Sequence, residues 1–161
     1  MPLGMEDRRI LSGHLRASSS YNYNHGPDRA RLNIYKSHGR TGAWVARHRN
    51  TKQWLQVDLR QMSIIKGIAT QGRREAHQWV KSYTLSYSTR GLRFKMYGAY
   101  GRVKVQIKIK QPNQCMLARK ISFTLNYTCK PEVPKIFLYI TSIEFNCASF
   151  SSLSFISLII W

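Results

Sequence analysis

Five histidines, seven acidic residues and many serines give this chain raw material for catalysis. Catalysis needs such groups in fixed local patterns: a Gly-x-Ser-x-Gly elbow, a His-Glu-x-x-His helix or a glycine-rich phosphate cradle. None of these strings occurs, and Asp58 and Glu75 do not form a convincing pair of carboxylates. Cys115, Cys129 and Cys147 lack the short Cys-x-x-Cys or Cys/His spacing of a zinc site. No acidic cluster demands calcium. The residues therefore imply neither an enzyme nor a resident metal or cofactor.

Binding is the chemistry they favour. With 26 Lys+Arg against 7 Asp+Glu, the formal charge is +19, and a folded form carries a strongly positive field. That field draws anionic partners without choosing among phospholipid, sulfated glycan, nucleic acid and acidic protein. The sequence shows no RNP, KH, zinc-finger or helix-turn-helix pattern, so affinity for nucleic acid would be non-specific and would fall with salt.

The elements that must position the binding groups are strands. Gln53–Leu59 alternates, with Leu55, Val57 and Leu59 on one face and Trp54, Gln56 and Asp58 on the other. Ile64–Thr70 is a β-branched run, and Val80–Ser88 alternates Tyr83, Leu85 and Tyr87 against Ser and Thr. Gly91 offers a turn into Phe94–Tyr97, which predicts a hairpin. Segments rich in Asn, Gly, Ser and His, Ser18–Asp28 and Lys36–Gly42, read as loops projecting from sheet ends. At 161 residues with 43% hydrophobic content, the chain has room for one all-β domain with a real core.

Several separated strings resemble the discoidin family, the coagulation factor V/VIII type C domains, in order and near-spacing. They are Pro2-Leu3-Gly4-Met5-Glu6 with Ile10, Ala17-Ser18-Ser19-Ser20-Tyr21, Arg29-Ala30-Arg31-Leu32-Asn33 and Gly42-Ala43-Trp44-Val45-Ala46. Gln53-Trp54-Leu55-Gln56-Val57-Asp58-Leu59, Ile68-Ala69-Thr70-Gln71-Gly72-Arg73, Gln78-Trp79-Val80-Lys81-Ser82-Tyr83 and Leu85-Ser86-Tyr87-Ser88 continue the run. The resemblance implies a galactose-binding-like jelly-roll β-sandwich and an extracellular or cell-surface recognition module. Its partner would be an anionic phospholipid surface, a glycan or a matrix protein. It also implies that ligand contact belongs to protruding loops. On this sequence these are Ser20–Pro27 with Tyr21, Asn22, Tyr23, Asn24 and His25, and Ile34–Thr41 with Tyr35, Lys36, His38 and Arg40. The third is Arg73–Gln78 with Arg73, Arg74 and His77. Exposed tyrosines could enter a membrane interface or stack on a sugar while cations hold phosphate or sulfate. Some relatives use calcium. Trp44, Trp54, Trp79 and Tyr83 are expected in the core, with Asp58 in a buried ion pair to Arg29, Arg31 or Arg47.

The resemblance covers residues 2–97, a partial domain, and leaves 98–161 as a divergent tail. The family's cysteine before Pro-Leu-Gly-Met is Met1 here, so its usual staple is not expected, and Arg90 stands where the turn usually has Asp. The Lys36–Thr41 loop reads as slightly long. Within the tail, Val103–Lys110 alternates as an amphipathic strand, and Asn126-Tyr127-Thr128 is a glycosylation sequon. Either Val103–Lys110, Ile121–Tyr127 and Ile136–Phe145 substitute for the later strands, or the tail is read-through and the chain a damaged, non-functional fragment. The drift toward Phe, Ser and Ile without turn residues favours the second. No export signal is read at the N-terminus. Phe145–Trp161 is uncharged but, with Asn146 and its serines, a poor membrane span.

Overall fold

The computed structural model describes residues 3–61, 63–65, 67–73, 78–99, 102–103, 119–122, 137–147 and 154–160, with side chains up to Tyr97, Lys81 apart. The strands are β1 (Leu15–Ala17), β2 (Trp44–Ala46), β3 (Leu55–Asp58), β4 (Gly67–Gln71), β5 (Gln78–Ser88) and β6 (Lys95–Met96). β7 (Gly98–Ala99), β8 (Arg102–Val103), β9 (Arg119–Ser122), β10 (Phe137–Cys147) and β11 (Ser154–Ile160) follow. A five-stranded sheet runs β1-β3-β10-β5-β6, a four-stranded sheet β2-β11-β4-β9, and β7 pairs with β8. Every pairing among the described residues is antiparallel. This is the all-β sandwich that the alternation demands.

Period-two patterning becomes burial in β3, where Leu55 and Val57 are fully buried while Gln56 and Asp58 are half-buried. β4 is buried throughout. At the end of β5 the Ser88 hydroxyl accepts the backbone N–H groups of Arg90 at 3.3 Å and Gly91 at 3.0 Å. Gly91 supplies the φ of +73°, so Arg in place of Asp is tolerated and the chain returns as β6, pairing Tyr87 with Lys95. The expected hairpin forms.

Two strands beyond residue 97, β10 and β11, take internal places, while β9 is an edge strand. β10 lies between β3 and β5, with Tyr139 opposite both Gln56 and Ser86. β11 lies between β2 and β4, with Ile156 opposite Trp44 and Ile159 opposite Ala69. Of the expected strand at Val103–Lys110, only the start falls among the described residues, in β8. Cys115, Cys129 and the Asn126 sequon lie outside them. No helix among the described residues is long and apolar enough to cross a membrane.

Trp44, Leu55, Ile65, Ile68, Tyr83 and Leu85 are the heart of a single core cluster. Fully burying each such side chain contributes about 1.5–3 kcal/mol. Trp44 donates its indole N–H to the Ser19 carbonyl at 2.9 Å, which ties the core to the segment after β1. Trp79 and Tyr83 are also buried, and burial pushes the Tyr83 phenol far above its usual range. Trp54 departs from its expected core place. It is half-buried, on the opposite face of the alternating run from Leu55 and Val57. The expected ion pair of Asp58 is not what the structure shows. Its carboxylate accepts the backbone N–H of Arg60 at 2.8 Å. Arg29 and Arg31 spend their guanidinium groups on carbonyl oxygens. A carboxylate two residues before a left-handed Arg60, φ +64°, closes a local turn, with no distant partner among the described residues.

Candidate functional site: one end of the sandwich

Strand direction decides where the loops emerge. β1 ends at Ala17 opposite Leu55, the first residue of β3, and β10 runs antiparallel to both β3 and β5. The chain after Ala17, before Leu55 and before Gln78 therefore meets the sandwich at one end.

From that end the segment 20–27 is anchored by Tyr21 N–H to the Val45 carbonyl at 2.9 Å. Asn22 caps a short 3-10 turn, Tyr23–His25, by accepting the Asn24 N–H at 2.9 Å, and the same Oδ1 lies 2.5 Å from His25 Nδ1. The His25 ring meets Tyr21 edge-on, with centroids 5.4 Å apart. Tyr21 and Tyr23 are left 49% and 83% exposed. Three turn residues thus spend their polar atoms locally so that two rings can stand out.

The segment 34–41 is a tight hairpin rather than a long loop. Ser37 and Arg40 exchange two backbone hydrogen bonds, of 3.0 and 2.8 Å, around His38 and Gly39 at φ +49° and +75°. Positive φ at both central positions is the turn that matches strand twist, and His-Gly fills it as Asn-Gly commonly does. The buried Arg29 guanidinium donates to the carbonyls of both Tyr35 and Thr41, and so clamps the two ends of this hairpin. Its C-terminal end is joined to the first loop by Thr41, whose N–H and hydroxyl donate to the Asn24 carbonyl at 3.1 and 3.2 Å. Arg40 completes the junction. Its guanidinium lies 5.1 Å from the Tyr23 ring centroid and 2.8 Å from the Asp28 carboxylate. Tyr35 is 57% exposed and Lys36 exposed.

The third stretch enters through Arg73, which donates its N–H to the Gln78 carbonyl at 2.8 Å. Burial, and then the nearby charge of Arg73, hold the His25 imidazole below its usual pKa, which places Arg73 within electrostatic reach of the first loop. Arg74 and His77 lie outside the described residues. The structure thus brings together Tyr21, Asn22, Tyr23, Asn24, His25, Tyr35, Lys36, Arg40 and Arg73. Sequence reasoning missed Asp28, Thr41 and Arg29 as the groups that fasten the loops. Asp28, an acid directly before Arg29 in a strongly basic chain, was the one available signal. Among the described residues, no three His, Cys, Asp or Glu side chains are grouped to hold a metal ion.

This sandwich with its loop-bearing end matches a known family model, the F5/8 type C domain, over residues 14–134. The chain belongs to the F5/8 type C domain family. The matched stretch runs well past residue 97. The chain is 42% identical over 102 residues to coagulation factor V of Mus musculus, covering 60% of this chain and 4% of that protein. The solved structure of discoidin II from Dictyostelium discoideum superposes with a TM-score of 0.66 at 21% identity, over 91% of this chain and 52% of that one. The family 32 CBM of C. perfringens NanJ, solved in complex with galactose, superposes at 0.59 with 14% identity, over 94% and 96%. At these identities the two structures show the fold alone. An F5/8 type C domain is a binding module without catalytic machinery of its own.

Proposed function

We propose that this F5/8 type C domain is a non-catalytic, extracellular recognition module that binds anionic phospholipid surfaces through the joined loops 20–27 and 34–41. One observation carries the reading: Tyr21, Tyr23 and Tyr35 stand 49%, 83% and 57% exposed at one end of the sandwich, with exposed Lys36 next to Tyr35 in the chain. Exposed tyrosines cost solubility unless something covers them. A phenol buries its ring at the bilayer interface while its hydroxyl stays among headgroups, and neighbouring cations meet lipid phosphate.

Within this reading the loop residues divide their labour. Tyr21, Tyr23, Tyr35 and Lys36 meet the ligand. Asn22, Asn24 and His25 shape the first loop, and Arg40, engaged by Asp28, positions Tyr23. The resemblance to a coagulation factor supports the extracellular setting. The likeness to a galactose-bound module makes a neutral glycan the alternative occupant. Vesicles with and without phosphatidylserine, set beside an array of neutral glycans, test the choice. Retention on the charged vesicles alone supports the reading. Retention on the array alone overturns it.

A further inference from the structure

The loop joining β2 to β3 belongs to none of the three stretches above. Arg47, His48, Arg49, Asn50, Thr51 and Lys52 are all exposed, so three permanent cations and a histidine fall within six residues. Neither Arg47 nor Lys52 has a carboxylate partner among the described residues. Such a run is ordinarily a solvated, mobile stretch of coil. Here its backbone is built in.

The builder is Gln53, a residue only 4% exposed. Its Oε1 accepts the hydroxyls of Ser18 at 2.8 Å and Ser19 at 2.6 Å, and its Nε2 donates to Asn50 Oδ1 at 2.7 Å. Asn50 Oδ1 also accepts the Lys52 N–H at 3.1 Å, and Ser19 Oγ accepts the Arg47 N–H at 3.0 Å. Both shoulders of the cationic loop are therefore fixed by one buried amide to the root of the first tyrosine loop. Holding cations on a fixed backbone lowers the ordering cost of binding a polyanion.

We propose that residues 47–52 form a second docking surface, for a linear sulfated polysaccharide, separate from the tyrosine loops. The loop offers no aromatic or large aliphatic side chain to enter a bilayer, unlike 20–27 and 34–41. Closely spaced guanidinium and ammonium groups suit sulfates repeated along a chain. The choice of a glycan over other polyanions rests on the extracellular reading above, whereas the site itself rests only on this loop.

The test uses the full chain on immobilised heparin, with vesicles containing phosphatidylserine as the second arm. The double substitution Arg47→Gln/Lys52→Gln lowers the log–log salt slope of heparin binding by about 1.5, on the counterion-release scale of nucleic acids. It lowers vesicle binding by a clearly smaller factor than heparin binding and leaves near-UV circular dichroism unchanged, and Arg47→Lys retains heparin binding. An unchanged slope overturns the site, and loss of vesicle binding in the same proportion overturns its separateness. Single-stranded DNA of equal charge that binds the loop as tightly as heparin overturns the glycan assignment. Because tyrosine substitutions act on the vesicle arm alone, failure here and failure of the phospholipid reading give different results.

Discussion

The Arg40 guanidinium sits over the Tyr23 ring, 5.1 Å from its centroid, while the same group holds the Asp28 carboxylate at 2.8 Å. One side chain thereby joins two loops and fixes the most exposed aromatic ring of the site. Both ion-pair partners are about three-quarters buried, at 28% and 23% side-chain exposure, which shields the pair from salt more than a surface pair.

Replacing Arg40 removes that fastening. Arg40→Ala is expected to cost about 1 kcal/mol, counting a cation–π contact and a partly exposed ion pair. In a chain of this size the thermal midpoint falls by roughly 3 °C. Vesicle affinity falls further than stability does, because Tyr23 loses its support. Arg40→Lys, which keeps charge but not the planar fork, recovers part of it. Paired thermal melts and vesicle titrations check the ordering.

Arg29 reaches deeper. Its buried guanidinium holds the Tyr35 and Thr41 carbonyls, and Arg29→Met leaves both without that donor. Unsatisfied buried acceptors cost more than a lost surface contact, so about 3 kcal/mol and a drop of roughly 10 °C are expected. A smaller drop than that of Arg40→Ala contradicts the clamp.

Acid has a defined effect through His25, whose folded-state pKa lies below the ordinary value because of burial first and Arg73 second. Below that ordinary value the unfolded chain takes up a proton that the folded chain resists, so this contribution to stability is lost as the pH falls. It is complete above the unfolded pKa and gone below the folded one. His25→Gln is expected to flatten that part of the fall in thermal midpoint between neutral and mildly acidic buffer. An identical fall in the variant contradicts it.

The tail is open to a direct cut. β10 separates β3 from β5, and β11 separates β2 from β4. A chain ending at residue 97 keeps Trp44, Trp54 and Trp79 but loses both internal strands, leaving unpaired edges beside the core. Near-UV circular dichroism is expected to show a cooperative melt for residues 1–161 and none for 1–97. A cooperative melt of the shorter chain makes 98–161 an appendage.

Much of the fold was legible because alternation and burial are local signals. The faces of Gln53–Leu59, the run at Ile64–Thr70 and the hairpin turning at Gly91 are in the structure within a few residues of where the pattern put them. The same alternation put Trp54 opposite Leu55, so its core role conflicted with its own strand. Asp58 misled for another reason. Whether a carboxylate takes an arginine or the N–H two residues on depends on backbone φ at Arg60. The site was legible as composition, tyrosines among cations, but its assembly was not. The Arg29 clamp and the Gln53 network join residues far apart in the chain through buried polar atoms, and no spacing rule announces such contacts.

The central claim is that the exposed tyrosines meet an anionic lipid surface, and co-sedimentation with phosphatidylserine vesicles tests it most directly. The full chain is compared with Tyr23→Ser/Tyr35→Ser, both residues being exposed enough to spare the fold. The account predicts that the wild-type chain pellets with phosphatidylserine vesicles and not with phosphatidylcholine alone. Losing two interfacial rings then lowers its affinity by at least about tenfold, roughly 1.4 kcal/mol of lost ring burial. Equal pelleting of the variant, or of the wild type with both vesicles, contradicts it.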